Sequence, residues 1–177
     1  HTRILNAVWT LKRKTKPSGE VYRHRSRLCV DGSRQQEGID YTDTYSPVSN
    51  WSTIRLMFIL SLIFDLKSRQ VDYIQAFPQA LLKEDVYMRI PSGFYYKDSD
   101  DKDNFVLKLK RNLYGLKQAA YNWNDLLTAG LIQIGFQQSI QDPCLFLHKN
   151  ILCIIYVDDT IFFAKESTTI DNIIFKL

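Results

Sequence analysis

Ile-Leu-Cys-Ile-Ile-Tyr-Val-Asp-Asp-Thr-Ile-Phe-Phe-Ala-Lys, residues 151–165, is the stretch whose reading decides the fold. Two almost wholly apolar runs, 151–157 and 161–164, flank the polar centre Asp158-Asp159-Thr160. Short runs rich in Ile, Val and Phe around a tight polar break predict a β-hairpin with both arms buried. The two carboxylates then stand where the hairpin surfaces. Side chains alternate faces along a strand, but at a turn both Asp groups can approach one point. Like charges so close repel unless a cation is present, and oxygen ligands of this kind favour a divalent ion, Mg2+ most naturally. An Asp-rich turn that only initiates a hairpin has the same appearance.

A third carboxylate shifts the balance. Gln70-Val71-Asp72-Tyr73-Ile74-Gln75-Ala76-Phe77 predicts a strand entering a turn, with Asp72 between apolar neighbours. It follows a helical stretch, 49–66, in which Trp51, Ile54, Met57/Phe58, Ser61/Leu62 and Asp65 fall at helical spacing. Alone, Asp72 reads as a cap or as the partner of a lysine. With the hairpin, it is the missing ligand of a site for two metal ions. Such a pair activates a 3′-hydroxyl and stabilises the leaving oxygen of an in-line phosphoryl transfer.

These residues carry a resemblance. Tyr156-Val157-Asp158-Asp159, Asp72 with Phe77 five residues on, and Leu113-Tyr114-Gly115-Leu116-Lys117-Gln118-Ala119 resemble the motifs of a reverse transcriptase, most closely the copia (yeast Ty) class of LTR retrotransposons. Arg27-Leu28-Cys29-Val30, Tyr45-Ser46-Pro47-Val48 and Val86-Tyr87-Met88-Arg89-Ile90-Pro91-Ser92-Gly93-Phe94 match as well. The six segments keep the family's order across about residues 9–165. A lone Asp-Asp is weak evidence, whereas six ordered segments are specific.

Composition agrees with one globular unit over residues 1–177, which the resemblance implies is a reverse transcriptase domain. At 177 residues and 45% apolar content, the chain can bury a substantial core. Cys29, Cys144 and Cys153 are odd in number, lack CxxC spacing and lie in apolar runs, so they read as reduced core residues. The longest apolar stretch, 54–64, contains Arg55 and is too short to span a bilayer. No signal-peptide pattern is visible, which predicts an intracellular setting and no membrane partner.

Charge is unevenly placed. Residues 1–35 hold nine Lys/Arg against two Asp/Glu, and the rest of the chain is slightly acidic. The basic block contains Lys12, Arg13, Lys14, Lys16, Arg23, Arg25 and Arg27, interrupted by Pro17-Ser18-Gly19-Glu20. Such a break predicts a cationic hairpin, either a solvated surface feature or a clamp for phosphates. The resemblance implies the clamp, with Arg27 on the incoming triphosphate. Arg13 is the expected second cation, with Lys12 or Lys14 as alternatives. Lys12, Lys14, Arg25 and Tyr156 are the expected nucleic-acid contacts.

Two further segments invite a reading. The acidic run 97–104 lacks the turn glycine and terminal Glu of an EF-hand, and reads as a solvated loop. Residues 118–136 show an amphipathic helix with a glycine stop at Gly135, its aromatic stripe (Tyr121, Trp123) mainly core. By resemblance alone, Gln118 at its entry faces the nucleotide near the sugar and base pair.

The expected fold is therefore α+β, with the fingers and palm of a right-hand polymerase. An antiparallel palm sheet (strands about 69–74, 144–149, 151–157 and 160–165) carries all three Asp, backed by helices 49–66 and 119–135. Fingers are expected near 1–47 and 88–118, and palm near 48–87 and 119–177. No thumb, connection or RNase H segment is visible, and the chain stops in an apparent helix after Thr168. A fragment of a Pol polyprotein, or a decayed copy, fits this.

The resemblance implies RNA-directed DNA polymerase activity on a primed RNA or DNA template with dNTPs, and two Mg2+ ions replaceable by Mn2+. Asp72 and Asp158 are the main ligands, with Asp159 completing the cluster and the Tyr73 carbonyl assisting. Phe77 lies under the sugar, where a ring excludes a 2′-hydroxyl. RNase H and integrase parts of the same polyprotein, and a cytoplasmic virus-like particle, follow from the family. An RNA-dependent RNA polymerase is disfavoured by Phe77. An inactive remnant that only binds nucleic acid is the alternative of a different class.

Overall fold

The computed structural model describes residues 3–94 and 105–177, so the acidic segment 97–104 lies outside the described residues. Its elements run β1 (Ile4–Leu5), β2 (Ala7–Thr15), β3 (Val21–Val30), α1 (Trp51–Ile63), β4 (Lys67–Asp72), α2 (Ala76–Gln79), β5 (Leu81–Arg89), β6 (Val106–Arg111), α3 (Ala119–Gln133), β7 (Gln137–Gln138), β8 (Leu145–His148), β9 (Ile151–Tyr156), β10 (Asp159–Ala164) and α4 (Ser167–Ile174). This is the mixed α+β class read from the sequence. Two compact units result, His1–Thr44 with Phe77–Asn122, and Tyr45–Ala76 with Trp123–Leu177. They differ from the divisions drawn on the sequence chiefly at residues 77–87. There β5 pairs with β1 in parallel and with β6 antiparallel, inside the first unit.

The second unit is built on a five-stranded antiparallel sheet in the order β4-β10-β9-β8-β7. Hairpin β9–β10 is its centre, since the two apolar arms are the most buried strands of the chain. Opposed residues of neighbouring strands share a face. Ile154 and Phe163 thus pack with Met57 of α1 on one face. The other face carries Phe162, whose ring meets Phe136, and Arg69, which pairs with Asp171 of α4. Helices therefore cover both faces.

Local chemistry explains where these helices begin and end. The backbone N–H of Asn50 and the Ser49 hydroxyl donate to the buried Asp142 carboxylate, which caps α1 from elsewhere in the unit. Burial works to raise the Asp142 pKa. Hydrogen bonds from Thr53, Cys144, Asn50 and Ser49 outweigh it and hold the carboxyl below its usual range. Helix α3 closes on Gly135 at φ +100, with Phe136 N–H donating to the Leu131 carbonyl and Gly135 N–H to that of Ile132. This left-handed glycine stop is what the sequence predicted. Burial pushes the Cys144 thiol up to about 11 and Cys153 higher still, which leaves both as inert, protonated core groups. Cys29 is only half-buried.

In the first unit, Leu5, Val30, Val86, Met88, Leu116 and Ala119 form the core. The segment after β6 docks on the end of β3, where Val30 N–H donates to the Tyr114 carbonyl at 2.8 Å. Gly115 makes this approach possible. A Cβ there would stand 2.1 Å from the Val30 oxygen, and its φ of +94 suits glycine.

Candidate active site

Hairpin β9–β10 turns through two residues, Val157 and Asp158, one residue earlier than the expected strands 151–157 and 160–165 imply. Asp159 is already the first residue of β10, opposite Tyr156 on one side and Asp72 on the other. The reason is steric economy: a two-residue loop keeps both arms paired to their ends. Directly opposed residues have β-carbons about 4.5–5.5 Å apart, so Asp72 and Asp159 are neighbours on one face although 86 positions separate Asp72 from Asp158. Tyr156 shares that face, and its ring tilts against Trp51 at 6.4 Å.

Three carboxylates thus gather at one end of the sheet. Asp72 is exposed, and Asp158 and Asp159 are half-buried. Asp159 Oδ1 accepts from Gln70 Nε2 at 2.9 Å, and among the described residues none of the three belongs to an ion pair. Their side chains are not drawn into a cluster of metal-site geometry, and no other such group of His, Cys, Asp or Glu occurs among the described residues. The donor set nevertheless suits a hard divalent cation. It is all oxygen, unneutralised, and brought together by backbone register rather than by chance side-chain rotamers.

Below this end the packing is aromatic. Trp123, nearly fully buried, donates its Nε1–H to the Val157 carbonyl at 3.1 Å. Tyr73, directly after Asp72, meets the Trp123 ring edge-on at 5.1 Å. Burial raises the Tyr73 phenol to about 12. The Thr160 hydroxyl opposes that shift, though the two do not align as a full hydrogen bond and both oxygens lack a partner. Sequence reasoning gave Trp123 only a core role. The one available clue is that a buried indole needs an acceptor.

In the first unit, hairpin β2–β3 forms as expected, turning at Lys16–Gly19 with Gly19 at φ +84. Its register sorts the cations. Lys12 faces Arg25, Lys14 faces Arg23, and Thr10 faces Arg27, so these five cations share one face. Arg13 lies on the opposite face, across from His24, with Trp9, Leu11 and Leu28. Arg13, expected as the second cation beside Arg27, thus stands on the opposite hairpin face, whereas the alternatives Lys12 and Lys14 share Arg27's face. The parity of the register decides it. Trp9 anchors the apolar face, stacking on Phe94 and donating to the Ser92 carbonyl at 3.0 Å.

Arg27 does not pair with Asp31, whose carboxylate is engaged by Ser33 and Arg34. Its guanidinium lies 5.1 Å from the Tyr114 ring centroid. The half-buried Phe77 ring meets the same Tyr114 at 5.0 Å. Gln118, expected to face a nucleotide, is buried. Its oxygen accepts from Gln35 Nε2 at 3.0 Å, and its amide donates to the Asp40 carbonyl at 2.9 Å. In this structure both ends of its amide are used within the unit, because a buried amide must satisfy its polar atoms. Gln35 and Asp40, its partners, carried no sequence signal.

Comparison with known proteins agrees with the motifs. The family model "Reverse transcriptase (RNA-dependent DNA polymerase)" matches residues 1–177. The chain is similar to the retrovirus-related Pol polyprotein from transposon RE1 of Arabidopsis thaliana, at 35% identity over 97% of this chain and 12% of that polyprotein. It is also similar to the Pol polyprotein from transposon TNT 1-94 of Nicotiana tabacum (32% identity, 93% of this chain, 12% of the relative). A third relative is the Ty1-ER2 Gag-Pol polyprotein of Saccharomyces cerevisiae (30%, 99% and 9%). The chain therefore spans about an eighth or less of the length of these relatives. No solved structure matches it. The chain belongs to the reverse transcriptase family, as a domain of the copia type of retrotransposon Pol polyproteins.

Proposed function

We propose that the chain catalyses template-directed addition of deoxynucleotides to a primer 3′-end. The observation that carries this reading is the register of Asp72 against Asp159, beside Asp158 in the turn, with no salt-bridge partner for any of the three among the described residues. Asp72 and Asp158 hold the metal ions, Asp159 completes the carboxylate set, and the Tyr73 carbonyl assists. Two Mg2+ ions, or Mn2+ in their place, supply the Lewis acidity that activates a 3′-hydroxyl and stabilises a leaving oxygen. The unit Tyr45–Ala76 with Trp123–Leu177 is the palm in this reading, and the unit bearing hairpin β2–β3 supplies fingers.

Arg27, with its planar donors, holds the incoming triphosphate, and Lys12 or Lys14 on the same hairpin face provides the second cation. Lys12, Lys14 and Arg25 hold template phosphates, and Tyr156 contacts the duplex beside the carboxylates. Phe77 is the steric gate against a ribose 2′-hydroxyl; its packing against Tyr114 keeps the ring from swinging aside. The substrates are a primed RNA or DNA template and dNTPs, and RNase H and integrase are its neighbours in the polyprotein. No helix among the described residues is long and apolar enough to cross a membrane.

Primer extension on an RNA template tests the reading. Extension with dNTPs is expected in Mg2+, with none after chelation and a far slower rate for Asp158→Asn. A chain that binds primer–template yet extends nothing in Mg2+ or Mn2+ establishes the remnant reading instead. Phe77→Val is expected to raise ribonucleotide incorporation relative to deoxynucleotide. An unchanged ratio in the folded variant leaves Phe77 as a core residue, whose removal lowers stability by about 3–5 kcal/mol for full truncation to Ala.

A further inference from the structure

We propose that Trp123 is a positioning residue for the carboxylate turn, its indole N–H holding the Val157 carbonyl and so setting where Asp158 and Asp159 stand. The inference rests on the carboxylate reading above and concerns a residue outside the proposed ligand set. Val157 is the decisive observation. Its φ is +60, in the left-handed region, which a β-branched residue enters only under constraint. Positive φ at the first of two central residues is the type II′ pattern, where glycine is the usual occupant. Something must hold a valine there. Helix α3 supplies it, through the 3.1 Å bond from Trp123 Nε1.

The same indole reaches the other carboxylate-bearing chain end. Tyr73 rests edge-on against it, and Asp72 is the residue before Tyr73. One buried ring therefore touches the segment that ends β4 and the turn that joins β9 to β10. It is itself held, since Trp123 is 2% exposed and Leu127 and Leu131, one and two turns on along the same helix, are buried with it. The Trp123 Nε1–H donor to the Val157 carbonyl is part-buried. Losing it lets Val157 relax out of the left-handed region and carries the adjacent carboxylates with it.

A Trp123→Phe change keeps the ring and removes the donor, which separates positioning from packing. Two readouts on the 177-residue chain are needed. Amide hydrogen exchange at residues 157–160 reports the turn without any metal, and Mn2+ titration followed by electron paramagnetic resonance reports the carboxylates. Trp123→Phe is expected to stay folded, to exchange faster at the turn, and to bind Mn2+ about tenfold more weakly, the usual size of an outer-shell loss. Adding Val157→Gly should restore most of the Mn2+ affinity, because glycine takes φ +60 without an anchor. Unchanged exchange in the folded single variant overturns the proposal, as does a loss of Mn2+ affinity that Val157→Gly leaves uncorrected. If the wild-type chain takes up no Mn2+ while Trp123→Phe loosens the turn, the anchoring stands and the carboxylate reading falls.

Discussion

The negative end of the five-stranded sheet and the positive face of hairpin β2–β3 both concentrate like charge, yet they are built in different ways. Asp159 opens β10, whose inner residues are largely buried, Asp158 stands in the turn before it, and Asp72 ends the mostly exposed edge strand β4, with a helix on either face of the sheet and an indole under the turn. Lys12, Lys14, Arg23, Arg25 and Arg27 stand on a two-stranded ribbon whose residues are mostly exposed. Like charges directly opposed on a ribbon are unfavourable, and long lysine and arginine side chains relieve this by spreading into water. Short aspartates on a packed sheet cannot. An acidic end set by strand register suits cations with oxygen ligands, and an exposed basic face suits phosphates whose positions vary.

Substitutions that touch only one region should separate rate from affinity. The largest effect is expected at the acidic end. Asp158→Asn should slow single-turnover extension by roughly a thousandfold or more, equivalent to about 4 kcal/mol of transition-state stabilisation, with primer–template affinity nearly unchanged. An equal loss of affinity and rate would erase the distinction between the two regions.

Arg27→Ala comes next. Loss of a charge-assisted donor of about 1.5–3 kcal/mol should raise the nucleotide KM by roughly ten- to a hundredfold, with a modest change in duplex affinity. Steady-state nucleotide titration at matched salt measures it. If duplex affinity falls as much as nucleotide affinity, the hairpin is an electrostatic tether only.

A smaller effect is expected on stability, from the carboxylate that holds the sheet's covering helix. Asp142→Asn removes a buried acceptor of several hydrogen bonds and should lower stability by about 1–3 kcal/mol, read from urea denaturation. Its pH dependence has a definite sign. Because the folded carboxyl titrates below its ordinary 3.8, its contribution is present above 3.8 and is lost as pH falls through the folded value. The gap between the wild type and Asp142→Asn should therefore narrow in acid. A gap that widens below pH 3.8 would contradict the hydrogen-bonding account.

The acidic end was largely legible in sequence, and its shape shows why. Hairpin β9–β10 announces itself by two apolar runs, and Asp72 by its place at the end of a strand. Only the turn slipped by one residue, since the polar run 158–160 marks where charge begins rather than where the backbone reverses. Elsewhere the missing information was tertiary. Asp142 reaches Ser49, Trp123 reaches Val157, and Gln118 reaches Gln35 and Asp40. Such bonds leave no periodicity, so a buried amide and a nucleotide-facing one look alike. The cationic hairpin was legible as an element, but which face each cation takes depends on register, and Arg13 fell on the apolar side.

The smallest expected effect is at the basic face. Lys14→Ala should reduce the dependence of log affinity on log salt by about one unit or less, because one phosphate contact releases about one counterion. Arg13→Ala, on the other face, should leave that slope unchanged. Equal reductions for the two would show that the faces do not differ in their approach to nucleic acid.

The central claim is that backbone register assembles Asp72, Asp158 and Asp159 into the chain's divalent-cation site. Crystals grown with Mn2+ and measured for anomalous scattering test it most directly. The account predicts manganese at the β4–β10 end of the sheet, with carboxylate oxygens of Asp72 and Asp158 as ligands and Asp159 beside them. Manganese bound elsewhere, with that end of the sheet empty, would contradict it.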